Sequence, residues 1–435
     1  MGTRVRFAPS PTGHLHIGGL RAALFNYYFA KKNNGQFIIR IEDTDHSRNK
    51  EIYTKAILDA FSWCNIYSDE EILYQSRRSH IYQKYIQLLL DSNNAYYSDE
   101  PDENGLISRV IKCRVDKTVS FINFNDVIRG NISFPITEFD DFIIVRSDGN
   151  PLYNLVVVID DIEMKISHVI RGEEHLPNTP KQLLLYKAFG YSAPLFAHLP
   201  LILGSDKKKL SKRDSATSVM DYQQQGYLPE ALCMYLLRLG WSYKDQEIFT
   251  HEEILSYFRL EDVHHAGAIF DIKKLLSVNQ YFIKTMNIDL LYKRILDWNV
   301  ESFKADSIDI DKKLIALYQS RASTLDELLS AINSIKSKPI YQIDQNNDYF
   351  DIKKNILLIY NVLRNTQDSF NVLFKNQIFN GIEKSLLYRS LRYGILGVFE
   401  SPSIIDIMTI LTKSEVLLRL RAAIDFLDSY DVQIK

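Results

Sequence analysis

The spacing of apolar positions changes twice within the first 45 residues. "RVRFAP" alternates as a strand does, "PSPTGHLHIGG" breaks the alternation with two prolines and three glycines, and "LRAALFNYYFAKKN" then repeats at helical spacing as far as Gly35. "QFIIRIEDTD" follows as a second strand. This succession predicts a βαβ unit with its ligand crevice at the carboxyl ends of the strands. "SFINFNDVIRGNISFPI", "DDFIIVRSDGNPLYNLVVVIDDI" and "ISHVIRGEEH" predict further strands, and "PKQLLLYKAFG" predicts a helix. The sheet is expected to be interrupted by an insertion over residues 85–153. After "KKKLSKRDSAT" the strand signals fade, and amphipathic stretches such as "PEALCMYLLRLGW", "DIKKLLSVNQYFI" and "VLLRLRAAIDFLDSY" predict a helical second half. "IDQNNDYFDIKKN" is the most polar stretch and is expected to be a loop. No internal repeat or low-complexity tract interrupts this organisation.

At 435 residues and 46% hydrophobic content, the chain can bury large cores and divide into two to four domains. Its 52 basic and 54 acidic residues give a formal charge of -2. Any nucleic-acid partner must therefore be met by local basic patches and shape. Cys64, Cys113 and Cys233 are isolated and odd in number, which argues against a disulfide framework and a cysteine-rich zinc site. With no apolar run near the ~18 residues of a membrane helix and no apolar signal region, a cytoplasmic protein is expected.

Two segments carry candidate chemistry. In the opening turn, glycines at 13, 18 and 19 permit close backbone approach, and the helix N-terminus behind them suits an anion such as phosphate. His14 and His16 alternate, so both imidazoles could offer N–H donors to one side. The turn alone also fits a structural role, because the Walker and dinucleotide glycine patterns are absent. "GSDKKKLSKRDSAT" gathers Lys207, Lys208, Lys209, Lys212 and Arg213, although such a run by itself is often a solvated surface.

Taken together, "HIGG" and "KLSKR" resemble the paired signatures of class I aminoacyl-tRNA synthetases, usually HIGH and KMSKS. "RFAPSPTGHLHIGG", "RIEDTD", "VIRGEEH", "KKLSKR", "YLLRLGWS" and "FDIKKLLSVNQYFI" stand in the order found in bacterial-type glutamyl-tRNA synthetases, from Thr3 to about Ile283. Beyond that the similarity thins to "LRYGILG" and "PSIIDIMTIL". The resemblance implies an α/β fold: a Rossmann-like parallel-sheet catalytic domain (1–84 and 154–213, the latter ending in the KLSKR loop), an inserted α/β acceptor-end-binding domain (85–153), a helical stem-contact domain (214–288) and a helical anticodon-binding region (289–435), the last two forming an all-α C-terminal half.

The implied reaction has two steps. The glutamate α-carboxylate attacks the ATP α-phosphorus to form glutamyl-adenylate and pyrophosphate, and the terminal ribose of tRNA(Glu) then takes the glutamyl group. No enzyme nucleophile is required, so catalysis rests on positioning and charge stabilisation. The resemblance assigns His16, Lys209 and Lys212 to catalysis, and Pro9, Ser10, Gly18, Gly19, Glu174 and Lys212 to ATP. It assigns Arg6, Ala8, Ser10, Glu42, Tyr153 and Arg171 to L-glutamate. Mg²⁺ is expected to arrive with the nucleotide. Enzymes of this kind generally require tRNA before they activate glutamate, and a monomer is expected.

Two departures are visible. Gly19 stands at the fourth signature position, removing one imidazole donor, and "NAYYSDEPDENGLISRVIKCRV" keeps one cysteine where many relatives hold zinc, so no zinc is expected. A glutaminyl-tRNA synthetase, a catalytically silent tRNA-binding paralogue and the short relative that glutamylates a tRNA base are the alternatives. The retained signature residues and helical tail stand against them, while use of tRNA(Gln) stays open.

Overall fold

The computed structural model describes residues 2–45, 49–101, 105–210, 218–301, 310–344, 348–375, 379 and 382–434. Its elements begin with β1 (Arg4–Phe7), α1 (Ile17–Lys32), β2 (Gln36–Ile41), α2 (Glu51–Trp63), β3 (Leu73–Tyr74) and α3 (Ser79–Asp91). Then come β4 (Ala95–Pro101), β5 (Ile107–Cys113), β6 (Phe121–Asp126), β7 (Gly130–Pro135), β8 (Phe142–Val145), α4 (Tyr153–Glu163), β9 (His168–Gly172), α5 (Thr179–Phe189), β10 (Leu195–Leu199) and β11 (Ile202–Leu203). The expected βαβ unit is present: β1 and β2 pair in parallel, Val5 opposite Phe37, with α1 between them in sequence.

A seven-stranded sheet runs in the order β3-β2-β1-β9-β10-β6-β7. All its neighbours are parallel except the β6–β7 hairpin. That hairpin lies inside the segment expected to be an insertion, yet β6 pairs with β10 and so extends the main sheet. The rest of the segment builds a separate antiparallel sheet, β4-β5-β8. Central strands are apolar on both faces: Val5, Phe37, Ile38, Ile39, Val169, Ile170, Phe196 and Ala197 are all buried.

One expectation fails here. "YNLVVVIDDI" is helix α4, and only Phe142–Val145 of that stretch is a strand. The Val-rich run looks like a buried strand because Leu155, Val156, Val158 and Ile159 are buried against α3, α5 and the small sheet, which erases the amphipathic stripe. The turn before it is set by Gly149, whose φ of +84° only glycine adopts readily.

This first compact unit comprises Met1–Gln223 and Pro229–Val278. It takes in most of α6 (Val219–Gln224), together with α7 (Pro229–Arg238), α8 (His251–Tyr257) and the short β12 (Ala268–Ile269), and α9 (Ile272–Thr285) begins within it. The second unit, Gln224–Leu228 with Asn279–Lys435, is helical throughout its described elements. It holds α10 (Ile288–Glu301), α11 (Lys312–Tyr318), α12 (Leu325–Lys336), α13 (Tyr349–Asn365), α14 (Phe370–Lys375), α15 (Lys384–Leu396), α16 (Ile404–Leu411) and α17 (Lys413–Ile434). Ile352, Ile356 and Ile359 of α13, Leu391 of α15 and Leu420 and Ala423 of α17 supply its core. The polar stretch expected to be a loop is divided: α13 starts at Tyr349 because the Asp348 carboxylate accepts from the Phe350 amide at 3.0 Å and caps the helix.

Candidate active site

A cavity of about 890 Å³ opens at the carboxyl ends of β1, β2, β9 and β10, where a parallel sheet leaves a crevice. Its wall begins with the segment after β1, pinned to β2 by a hydrogen bond from the Glu42 amide to the Pro9 carbonyl at 3.0 Å. His16 then acts as the N-cap of α1, its Nδ1 accepting from the Gly19 amide at 3.1 Å. The ring proton therefore sits on Nε2, as a donor. His16 is exposed to the cavity, yet the enclosing walls lower its basicity, with Lys209 adding to the effect and Glu174 opposing it. Gly18 and Gly19 sit in ordinary helical backbone; a Cβ on Gly18 would lie 3.0 Å from the His16 ring, and one on Gly19 2.9 Å from Leu15. They leave room for the cap.

Beneath the cavity lies a cluster of charge. Asp161, on the helix that sequence patterning predicts as strand, accepts from Arg6 through both oxygens at 3.0 and 3.2 Å and from Arg40 at 2.6 Å. Arg40 also donates to Glu42 at 3.2 Å. Burial opposes the charge on Arg40, but the surrounding carboxylates outweigh it and raise its pKa. Burial likewise works against the Asp161 carboxylate, and Arg40 and Arg6 overcome it, holding Asp161 below the usual range. For Glu42 burial wins, so its pKa lies above the ordinary value despite Arg40 and Arg6.

Arg171 is different. It is 7% exposed, donates from Nε to His198 Nε2 at 3.1 Å and from Nη2 to Thr179 Oγ1 at 2.9 Å, and its buried Nη1 has no hydrogen-bond partner. Burial lowers its pKa. Tyr153, at the start of α4, is pushed up to about 12 by burial and by Glu42, and its hydroxyl lies 3.4 Å from His175 Nδ1. Burial, reinforced by Arg171, takes His175 down to about 4.

The cavity lining includes Arg6, Ala8, Pro9, Ser10, His16, Gly18, Gly19, Glu42, Tyr153, Arg171, Glu174 and Lys209. Lys212, with Ser211 and Arg213, lies outside the described residues. His14 also faces the cavity, edge-on to Tyr53 at 5.5 Å between centroids. Asp43 is structural, accepting from the amide and hydroxyl of Ser76 at 2.8 and 2.7 Å. Sequence reasoning missed Asp161, Arg40, His175, Thr179, Asp126 and His198. The available signal was a charged or polar residue inside an apolar run, as in "VVVIDD" and "LFAHLPL", where an ionisable group needs a buried partner.

A parallel-sheet crevice with a histidine-capped first helix and cationic pocket is the layout of a class I tRNA synthetase. The family model "tRNA synthetases class I (E and Q), catalytic domain" matches residues 2–105 and 104–277, and "Anticodon binding domain" matches residues 290–424. Glutamate–tRNA ligase 1 of Campylobacter hominis is 40% identical, covering 95% of this chain and 97% of its own. Its Helicobacter pylori namesake is 44% identical over 77% of this chain and 78% of its own. The crystal structure of a glutamate tRNA ligase from Elizabethkingia meningosepticum, in complex with its amino acid, superposes with a TM-score of 0.87 at 30% identity, covering 98% of this chain and 99% of that one. The chain belongs to the glutamate–tRNA ligase family, enzymes that attach glutamate to tRNA. Among the described residues no helix is long and apolar enough to cross a membrane, and no group of three His, Cys, Asp or Glu is placed to hold a metal.

Proposed function

We propose that this cavity makes glutamyl-adenylate from L-glutamate and ATP and passes the glutamyl group to tRNA(Glu). The observation that carries this reading is Arg171, a buried cation bonded to neutral groups with one N–H pair unused. Arg6 and Arg40 are bonded to the Asp161 and Glu42 carboxylates, whereas Arg171 is bonded to neutral groups alone, and the glutamate side chain supplies a carboxylate for it. Glutamine would turn its amide donors towards a guanidinium and leave that charge uncompensated, a loss of about 3–5 kcal/mol or two to four decades of discrimination. Arg6, Tyr153 and Arg171 hold the side chain, Glu42 meets the α-ammonium, and Ala8 and Ser10 pack between amino acid and nucleotide.

His16 donates from Nε2 to the phosphates of ATP, while Pro9, Gly18, Gly19 and Glu174 border the nucleotide. Lys209 and Lys212 stabilise charge on the departing pyrophosphate, and a lysine suits this as a compact charge on a flexible stem. Mg²⁺ arrives on the nucleotide's phosphates, a hard cation that keeps several waters and is bound largely through substrate phosphates. Residues 85–153 grip the acceptor end, residues 214–288 contact the tRNA stem and residues 289–435 bind the anticodon. Cys113 is the sole cysteine of residues 85–153, so zinc is not part of that region, and elemental analysis finding one zinc per chain after dialysis overturns this. We further place the enzyme in the cytoplasm as a monomer.

The test is ATP–pyrophosphate exchange with glutamate or glutamine, with and without tRNA, on RNase-treated protein. Exchange is expected near background without tRNA, strong with glutamate plus tRNA(Glu), and absent with glutamine. Equal exchange without tRNA removes the coupling between RNA and activation, and exchange with glutamine overturns the assignment of the pocket. A parallel charging assay on purified tRNA(Gln) decides whether that tRNA is also a substrate.

A further inference from the structure

The β6–β7 hairpin reaches the cavity through a chain of hydrogen bonds that the reaction as proposed does not use. Asp126, 1% exposed at the end of β6, accepts at Oδ1 from the amides of Ile128, Arg129 and His198 at 3.0, 2.9 and 3.2 Å. Its Oδ2 lies 2.6 Å from His198 Nδ1. Those bonds fix the carboxylate, so the proton between the two groups belongs to His198 Nδ1. The lone pair of the ring is then on Nε2, which faces Arg171 Nε at 3.1 Å and the Thr179 hydroxyl at 3.2 Å. Both contacts are donors to it. Burial depresses the basicity of His198, and Arg171 adds to this against the pull of Asp126, so the ring stays neutral.

An Asp-His pair behind an arginine has a consequence that a directly placed carboxylate lacks. Asp161 beside Arg6 orients a guanidinium and also cancels its charge. An imidazole whose Nδ1–H is committed to a carboxylate orients the guanidinium through a lone pair and leaves the cation available. We propose that Asp126 and His198 are positioning residues for substrate selection, holding Arg171 in register for a ligand carboxylate while a neutral acceptor preserves its charge. Thr179 completes the cradle by accepting from Nη2 at 2.9 Å, which leaves Nη1 as the unused donor. The inference rests on the reading that Arg171 receives the side-chain carboxylate of glutamate.

The experiment is steady-state charging of tRNA by the full chain, with glutamate and ATP varied separately, for Arg171→Lys, His198→Leu, His198→Gln and the double variant Arg171→Lys/His198→Leu. Losing the acceptor behind Arg171 is expected to raise the glutamate KM about 10–100-fold in His198→Leu, with the ATP KM changed less than about twofold. His198→Gln, whose amide oxygen is again a neutral acceptor, is expected to recover to within about fivefold of the native glutamate KM. In the double variant, His198→Leu should add less than about twofold to the effect of Arg171→Lys, because it acts through that side chain. An unchanged glutamate KM in His198→Leu, equal rises for both substrates, equal losses in the leucine and glutamine variants, or additive effects in the double variant overturn the inference. If Arg171→Lys itself leaves the glutamate KM untouched, the pocket assignment fails first. Should His198→Leu not fold, Thr179→Val asks the same question at the second neutral acceptor: a selective rise in glutamate KM supports the cradle, and no change overturns it.

Discussion

Arg6 and Arg40, on β1 and β2, and Arg171, on β9, bury their guanidiniums beside one cavity in opposite ways. The first two share the Asp161 carboxylate, and Arg40 also reaches Glu42. The third rests on an imidazole, a hydroxyl and the face of Phe196, 5.4 Å from its ring centroid. A guanidinium paired with a carboxylate contributes to a rigid frame, because removing either partner strands the other in a medium of low polarity. A guanidinium held by neutral groups is costly to keep and available to a ligand. On the proposed reading, Arg40 and Asp161 belong to the frame, Arg6 serves both the frame and the pocket, and Arg171 is the guanidinium left for a ligand carboxylate.

The largest effect that would break this contrast is at Arg171. Arg171→Met removes the buried charge and should lower kcat/KM for glutamate by about 10²–10⁴-fold, the equivalent of losing one partner of a buried charge pair. Its melting temperature should equal or exceed the native one, since a buried cation without a carboxylate has gone. A marked fall in melting temperature would put Arg171 with Arg6 as part of the frame.

Asp161→Asn asks the opposite question. It should cost about 3–5 kcal/mol of stability by leaving two guanidiniums poorly compensated. Because Asp161 has a depressed folded-state pKa, its contribution is present above the ordinary value of about 3.9 and disappears as pH falls through the lower folded value. Denaturant melts at pH 7 and at successively more acidic values should show the native and variant proteins converging. A constant gap between them would contradict the ionic account.

Glu42→Gln sharpens the contrast most gently. The folded pKa of Glu42 is raised by burial, so the native protein has its full stability below the unfolded value of about 4.3 and loses some as pH climbs through the folded value. The variant should melt slightly higher than the native protein at pH 7, and the difference should vanish near pH 4. A lower melting temperature at pH 7 would mean that Arg40 and Arg6 outweigh burial at this carboxylate.

The frame and Arg171 were not equally legible in sequence. β1, α1 and β2 announce themselves through local periodicity, and Arg6, His16 and Glu42 fall within or beside them. Lys209 and Arg171 were assigned through the family resemblance, since a charge run or a strand-end arginine alone also fits a solvated surface. Helix α4 was hidden, because a helix buried on every side carries no polar stripe and its valines imitate a strand. Asp126, Arg171, Thr179 and His198 meet only because β9, β10 and β6 lie side by side, an ordering that no local pattern encodes. Asp161 sits at the far end of the concealed helix, so missing the helix meant missing the anchor of the cluster.

The strand order has a consequence for how the protein is made. Val5 of β1 is paired across the sheet with His168 of β9, and Asp126 of β6 with Phe196 of β10. Roughly 160 residues separate the first pair, which at ~5–20 residues per second of synthesis is on the order of 10–30 s. Of its two neighbours in the finished sheet, β1 has only β2 to pair with until β9 is made, and an unpaired strand edge is a template for association. Synthesis therefore leaves a longer window for mispairing at this edge of β1 than at the edge that β2 covers.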